Sequence, residues 1–249
     1  MDPAFQKDFL RDFKRGNGGP VLALFGKHPA WNDHMDDFGL STPSLRSCKR
    51  LLYLQGMAAN AARQQSEGGP VQPYQHFLLW LRESEAMLIR MVESEDGRGR
   101  GYFPFMAAVH FDSTEAQRSL RVLLPALRGL VADCRNLHSR DAVRDRHRQA
   151  QDQISAELRH LPPGELADES CTRDEVFALR GLATRSGFPT EQVAISRYDH
   201  AQAFAALLTA WRGSAGERVL LIAHADPLPS LTLGAGEPQK GDFWFLRGA

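Results

Sequence analysis

Three apolar segments follow one another between residues 76 and 111, and their order constrains the fold more than any other feature of this chain. Residues 76–81 (HFLLWL) and 86–92 (AMLIRMV) are separated by a short polar stretch, a spacing typical of a β-hairpin. A Gly/Arg-rich loop then leads into residues 103–111 (FPFMAAVHF). Pro104 must lie at the start of that strand or on an edge, because it donates no ladder hydrogen bond. The sequence therefore predicts an antiparallel meander.

A further strand and a helix precede this meander. The continuous apolar run at residues 21–25 predicts a buried strand. Ser41 and Thr42 are candidate N-caps for a helix whose apolar residues continue to Ala62, and the Gly-Gly-Pro stretch that starts at Gly68 ends it. Strand, helix and meander in this order indicate the α+β class, with an antiparallel or mixed sheet flanked by helices.

The second half of the chain has a mainly helical pattern. We divide the chain into an α+β domain at residues 1–135 and a helical extension at residues 136–249. Apolar runs at residues 218–223 and 242–246 predict closing strands, so the extension either stands apart or completes the same domain. Residues 162–169, which begin with Pro-Pro-Gly, are the best internal boundary. Thr172 and Glu175 have the spacing of a capping box.

Composition excludes several classes of protein. The 249 residues carry 30 Lys+Arg and 30 Asp+Glu, so no chain-wide positive charge favours nucleic acid or anionic lipid. No apolar run approaches the roughly 20 residues that span a bilayer, and the N-terminus has no secretory signal pattern. Cys48, Cys134 and Cys171 are odd in number and far apart, as in a reducing compartment. We therefore expect a cytoplasmic protein without membrane insertion.

Two motifs give the chain a family resemblance. Residues 25–33 (FGKHPAWND), directly after the first strand, resemble the Gly-Lys-x-Pro-x-x-Gly-Asp-Phe block of the TagF (ImpM) family of type VI secretion-associated proteins. Residues 94–105 (SEDGRGRGYFPF) resemble that family's Ser-x-Asp-x-x-Gly-Arg-x-Phe-Pro block. The resemblance covers about residues 20–112. Asn32 and His34 depart from the family's Gly and Phe, and the second block carries one extra residue, as in a divergent member.

The resemblance implies a fold and a function. TagF-family proteins resemble longin domains, in which helices flank a mixed sheet, and they are linked to post-translational repression of type VI secretion through a forkhead-associated partner. The chain is thus expected to be an accessory or regulatory protein, without catalysis, that acts by protein–protein contact. The alternative is a longin-like scaffold, or a module that binds a small GTPase, outside secretion.

The candidate partner-binding residues lie in the two motifs. They are Gly26, Lys27, Pro29, Trp31, Asp33, Ser94, Asp96, Arg98, Gly99, Arg100, Phe103 and Pro104. Because one family signature is divided between two strand ends, we expect the two motifs to meet in space. Lys27 is then placed to pair with Asp33 or with Asp96. Either the first motif only stabilises a loop, or it also forms part of a partner-binding face.

The Gly-rich second motif has two interpretations. Gly-rich loops beside cations can hold phosphate, but the P-loop template is absent. Because a guanidinium matches a carboxylate equally well, an internal pair between Arg100 and an aspartate is favoured over binding of a phosphothreonine or nucleotide.

Other chemistry has weaker support. The cluster His28, Asp33, His34, Asp36 and Asp37 contains metal-ligand residue types, but no known metal template matches it. No nucleophile motif accompanies the serines or histidines. We expect no enzyme activity, no cofactor and no metal. The mixed charges of residues 141–160 predict a solvated helix face or a docking surface for a partner helix.

Two residues are predicted to anchor the partner. Trp31 lies in a polar loop away from any periodic apolar face, and Arg98 lies in a turn too rich in glycine to bury it. Aromatic and Arg anchors dominate many interfaces. The competing interpretation places Trp31 inside the loop as part of the core.

Overall fold

The structure is a computed structural model of the chain. It describes residues 19–68, 73–82, 85–161, 172–194, 200–214, 220–225, 230–236 and 238–246. The predicted boundary at residues 162–169, Cys171 and the middle of the polar turn before Glu85 lie outside the described residues. No helix in the described part of the chain is long and apolar enough to cross a membrane.

One antiparallel sheet organises the described residues. Its strands are β1 (Val21–Gly26), β2 (Gln75–Arg82), β3 (Glu85–Val92), β4 (Phe105–Asp112), β5 (Thr190–Ala194), β6 (Leu220–Ala225) and β7 (Ser230–Ala235). The spatial order is β1-β4-β3-β2-β6-β7-β5, and every neighbouring pair is antiparallel. The predicted meander and the α+β class are confirmed.

Helices cover both faces of this sheet. They are α1 (Pro43–Cys48), a π-helical segment (Lys49–Met57), α2 (Ala58–Glu67), α3 (Ala116–Arg135), α4 (Arg140–Arg159), α5 (Arg173–Thr184) and α6 (His200–Ser214), with short 3₁₀ segments at Ser113–Glu115 and Asp242–Leu246. One apolar core packs α3, α4, α5 and α6 on the first face. A second core packs α1, the π-helical segment and the last 3₁₀ segment on the other face. The alternation of side chains along β2, β3 and β4 supplies both cores, because successive residues point to opposite faces.

Predicted helix ends agree with the observed caps. The Thr42 side chain accepts a hydrogen bond from the Leu45 N–H at the start of α1. Thr172 and Glu175 form the predicted capping box of α5. Gly68 follows α2 with a positive φ of 66°, a backbone conformation that favours glycine.

The second half of the chain contributes three strands to the sheet, more than the sequence indicated. The strand predicted at residues 218–223 is observed as β6 from Leu220 onward, and residues 218–219 lie outside the described residues. However, β5 and β7 were not predicted, and the strand predicted at residues 242–246 is a 3₁₀ segment instead. That last prediction is wrong because Phe243 and Leu246, three positions apart, are both buried in the second core, a spacing that one 3₁₀ turn satisfies.

Side chains and a loop seal the outer edge of β1. Leu22 donates its N–H to Gln151 Oε1 over 2.6 Å, and its carbonyl accepts from His147 Nε2 over 3.0 Å. Leu24 exchanges two backbone hydrogen bonds with Phe38, each 3.0 Å long. The backbone groups of an unpaired edge would otherwise be open to another chain. Here α4 and the loop after β1 occupy them.

Candidate functional site

The two sequence motifs meet at the end of β1. We call residues 27–40 the first loop and residues 93–104 the second loop. Gly26 ends β1 with φ +125°, and a Cβ at this position would lie 2.3 Å from the Pro104 carbonyl oxygen. Lys27 donates its N–H to that same oxygen over 3.1 Å. Glycine is therefore required here, because any side chain would separate the two loops.

A second close approach fastens the loops further along. Gly97 donates its N–H to the Trp31 carbonyl over 2.6 Å. A Cβ on Gly97 would lie 2.9 Å from the Pro29 carbonyl oxygen. The turn around half-buried Pro29 and the second loop thus touch through backbone, and the expected meeting of the motifs is confirmed.

Four charged side chains connect the loops, and we call Lys27, Asp33, Asp96 and Arg100 the loop network. Lys27 Nζ lies 2.8 Å from Asp33 Oδ1 and 2.7 Å from Asp96 Oδ2. Arg100 Nη2 lies 2.8 Å from Asp96 Oδ2 and 3.3 Å from Asp33 Oδ1. Lys27 pairs with both aspartates, which resolves the two alternatives. The favoured internal pairing of Arg100 is confirmed.

Asp96 is the centre of the network. Its side chain is 0% exposed. Its Oδ1 accepts the backbone N–H groups of Arg98 and Arg100, over 2.9 and 3.1 Å. Burial alone would raise the pKa of Asp96, but the hydrogen bonds from Lys27 and Arg100 outweigh burial and hold that pKa well below its usual range. The carboxylate is therefore ionised at neutral pH.

The contacts of Asp96 decide between the two interpretations of the Gly-rich second motif. A phosphate in a Gly-rich loop is held by backbone N–H groups and nearby cations. Here such donors, from Arg98, Arg100 and Lys27, converge on the carboxylate of Asp96. Arg100 also donates to the Asn32 carbonyl over 2.7 Å. The internal carboxylate thus takes the position of an anionic ligand.

Trp31 lies inside the protein, so its predicted role as an exposed anchor is wrong. It is 3% exposed and belongs to the first core. Its ring contacts His28 and Phe38 edge-on, at centroid distances of 5.4 and 6.1 Å, and the Arg140 guanidinium lies 5.5 Å from its centroid. The indole Nε1 donates to Asp36 Oδ2 over 3.2 Å. The polar residues next to Trp31 in the sequence suggested an exposed side chain, but the loop folds back over the core.

His28 is also buried, and both of its ring nitrogens have partners. Nδ1 accepts the Ala30 N–H over 3.1 Å, so Nε2 carries the proton and donates to the Cys134 carbonyl over 2.8 Å. Burial lowers the pKa of His28. Within the described residues, no group of three His, Cys, Asp or Glu side chains could hold a metal ion.

This histidine gives a testable pH dependence. Because its pKa is lower in the folded than in the unfolded protein, the unfolded state binds more protons below about pH 6.5. The free energy of unfolding should therefore fall as pH drops from 7 to 5. Urea unfolding across this range should show a smaller decrease for His28→Gln than for the wild type. Equal slopes would contradict the assignment.

An aromatic cluster forms one side of the site. His34 Nδ1 lies 2.6 Å from the Tyr53 hydroxyl, and the rings of His34, Tyr53 and Phe103 lie 5.3 to 5.5 Å apart. Burial raises the pKa of Tyr53, which keeps the hydroxyl protonated. The sequence did not single out Tyr53, because its role depends on the π-helical segment that carries it.

Helix α4 supports the site from the opposite side. Arg140, Arg144, His147 and Gln151 form one stripe at helical spacing. Arg144 lies 5.9 Å from the Phe38 ring, and Arg140 donates to the Ala30 carbonyl over 3.3 Å. This face was predicted only as a solvated or docking surface. The spacing of the four residues was the signal that could have revealed it.

Several side chains of the two loops are exposed to solvent. The Asp33 side chain is 68% exposed, Tyr102 is 54% exposed, and Arg98 and Gly99 are exposed. We call Asp33, Arg98 and Tyr102 the loop rim. Ser94 and Phe103 are half-buried and Pro104 is buried, so these motif residues support the loops.

Comparison with known proteins gives little further information. No protein-family model matches the chain, and no curated protein matches it significantly. Among solved structures, it is similar to PA0076 from Pseudomonas aeruginosa PAO1, with a TM-score of 0.45 and 17% identity over 90% of this chain and 93% of that one. A likeness at this level carries no argument about function.

Proposed function

We propose that this protein is a divergent member of the TagF (ImpM) family and a non-catalytic regulatory or accessory protein of a type VI secretion system. In this proposal it acts in the cytoplasm by contact with a protein partner. The supporting observation is the loop network. The two motifs that carry the resemblance lie far apart in the sequence, yet Lys27 and Asp96 are joined by a buried ion pair.

The chemistry of the network favours a binding surface over a reaction centre. Its cations are turned toward Asp96, and His28 uses both ring nitrogens to fasten the first loop. Side chains that are paired in this way stabilise the backbone conformation of the two loops. The solvent-facing groups of the loop rim include the Arg98 guanidinium and the Tyr102 phenol, and Arg and Tyr are enriched at protein interfaces.

The layered architecture agrees with the longin-like part of the proposal. An antiparallel sheet with helices on both faces is compatible with the mixed sheet and flanking helices that the resemblance implies. Longin-like folds act as binding platforms. The partner proposed first is a secretion regulator with a forkhead-associated domain.

The loop rim provides the direct test. Arg98→Ala and Tyr102→Ala should leave the melting temperature nearly unchanged, since both side chains are exposed, and should weaken binding to the forkhead-associated regulator by about 5- to 100-fold each. Isothermal titration calorimetry with the purified regulator measures the change.

A control variant tests whether the loss of binding is specific to the loop rim. Phe177 on α5 is 80% exposed, and Phe177→Ala should leave binding unchanged. No binding of wild-type protein to the regulator would contradict the proposed partner. Binding of a small GTPase instead, weakened by the same rim variants, would favour the alternative module outside secretion.

A further inference from the structure

The two edges of the sheet differ in how their backbone groups are used. At β1, the outward residues Leu22 and Leu24 are bonded by α4 and by the first loop, as described above. Because an edge strand presents a row of donors and acceptors that another strand can pair with, sealing prevents association. The opposite edge is β5.

The direction of the backbone groups of β5 follows from one hydrogen bond. The Pro189 carbonyl accepts the Ala235 N–H over 3.3 Å. In an antiparallel ladder the bonded residues alternate, so residues 191 and 193 also face β7. Thr190, Gln192 and Ala194 therefore direct their N–H and C=O groups away from the sheet.

These outward groups are open in the part of the chain that the structure describes. Thr190 and Gln192 are exposed, and no hydrogen bond to their outward N–H or C=O groups occurs among the described residues. Residues 190–194 contain neither proline nor lysine, two residues that commonly blunt such edges, and Pro189 directly precedes them. Its one glutamate, Glu191, is paired with Arg185.

We propose that β5 pairs with β5 of a second copy of this chain, antiparallel, about a two-fold axis at Gln192. Both backbone groups of Gln192 then bond to Gln192 of the other copy, and those of Thr190 bond to Ala194. The two sheets become one continuous sheet. This is the isologous arrangement expected of a symmetric dimer.

The side chains fit this pairing with the same register. A two-fold axis at Gln192 places each residue whose backbone groups face outward opposite another such residue of the second copy. Glu191 lies opposite Val193 of the other copy, and Thr190 opposite Ala194, so no like charges face each other. A strand of this length is a small interface, and association should be weak and concentration-dependent.

Charge substitution at the axis gives the sharpest test. Gln192→Lys and Gln192→Glu each place like charges opposite each other, and both variants should be monomeric by sedimentation velocity at concentrations where the wild type is dimeric. An equimolar mixture of the two variants should recover the dimer, because Lys then faces Glu. Gln65→Lys, on exposed α2, should leave the wild-type dimer intact.

A backbone variant tests the hydrogen bonds themselves. Gln192→Pro removes an outward N–H and leaves the ladder to β7 in place, so it should abolish dimers while circular dichroism remains native-like. If this variant misfolds, the Lys and Glu pair still decides the question. Monomers of wild-type protein at all concentrations, or a dimer that persists in both charge variants, would overturn the proposal.

Discussion

Replacing Trp31 with alanine is expected to lower the free energy of unfolding by about 3–5 kcal/mol, the usual effect of removing a large buried aromatic side chain. The indole fills the space between His28, Phe38 and Arg140, and the loop cannot collapse into that space while Gly97 holds the Trp31 carbonyl. Urea unfolding followed by circular dichroism measures the loss.

Two comparisons make this prediction specific. Trp31→Phe keeps an aromatic ring but loses the hydrogen bond to Asp36, and it should be less destabilising than alanine. Tyr102→Ala removes an exposed aromatic residue of the second loop and should change stability little. If Trp31→Ala leaves stability intact and instead abolishes partner binding, the residue is a surface anchor and its burial in the structure is wrong.

Substitution of the central carboxylate should have the second large effect. Asp96→Asn removes the charge that Lys27 Nζ and Arg100 approach within 2.8 Å, and Lys27 is only 4% exposed. Breaking a buried ion pair from one side typically costs about 3–5 kcal/mol, because the remaining charge stays desolvated. Since Arg100 is half-exposed and Asp33 still faces Lys27, we expect the lower end, about 3 kcal/mol.

The exposed aspartate is the matched control. Asp33→Asn makes the same chemical change in the same network. At this exposed site, however, water can solvate the groups that lose the carboxylate as a partner. Thermal unfolding of the two variants should therefore show a large decrease in melting temperature for Asp96→Asn and little change for Asp33→Asn. Equal effects would indicate that Asp96 is not the centre of the network.

These variants separate the internal and external roles of one motif. Loss of stability identifies Trp31 and Asp96 as residues that hold the two loops in place. Loss of binding without loss of stability identifies Arg98 and Tyr102 as residues that meet a partner. The motif residues divide into these classes by burial.

Several elements could be predicted from the sequence because their signals are local. Strands β2, β3 and β4 have apolar runs separated by polar turns, and Thr42 and Thr172 have the side chains that cap a helix. Pairing of Arg100 with an aspartate followed from the match between a guanidinium and a carboxylate. The expectation that the two motifs meet came instead from the family resemblance, because one signature is divided between two strand ends.

Other features depended on segments distant in the chain. Strand β5 (TEQVA) has no strong apolar pattern and forms because β7 supplies its hydrogen-bonding partner. Strand β7 itself could have been predicted from its alternating Leu231 and Leu233. The Asp242–Leu246 segment also depended on distant residues. Its apolar run is compatible with a strand or a 3₁₀ turn, and packing against the second core selects the 3₁₀ turn.

The sequence by itself determined which residues form the meander and the helix caps, and which charged residues were available to the loop network. The tertiary structure decided which of them face water. Trp31 shows the physical reason: its neighbours in sequence are polar, but its burial depends on Phe38, Gly97 and Arg140. Helix caps and tight turns are set by residues a few positions apart, whereas strand pairing and burial are set by which distant segments meet and pack over a side chain.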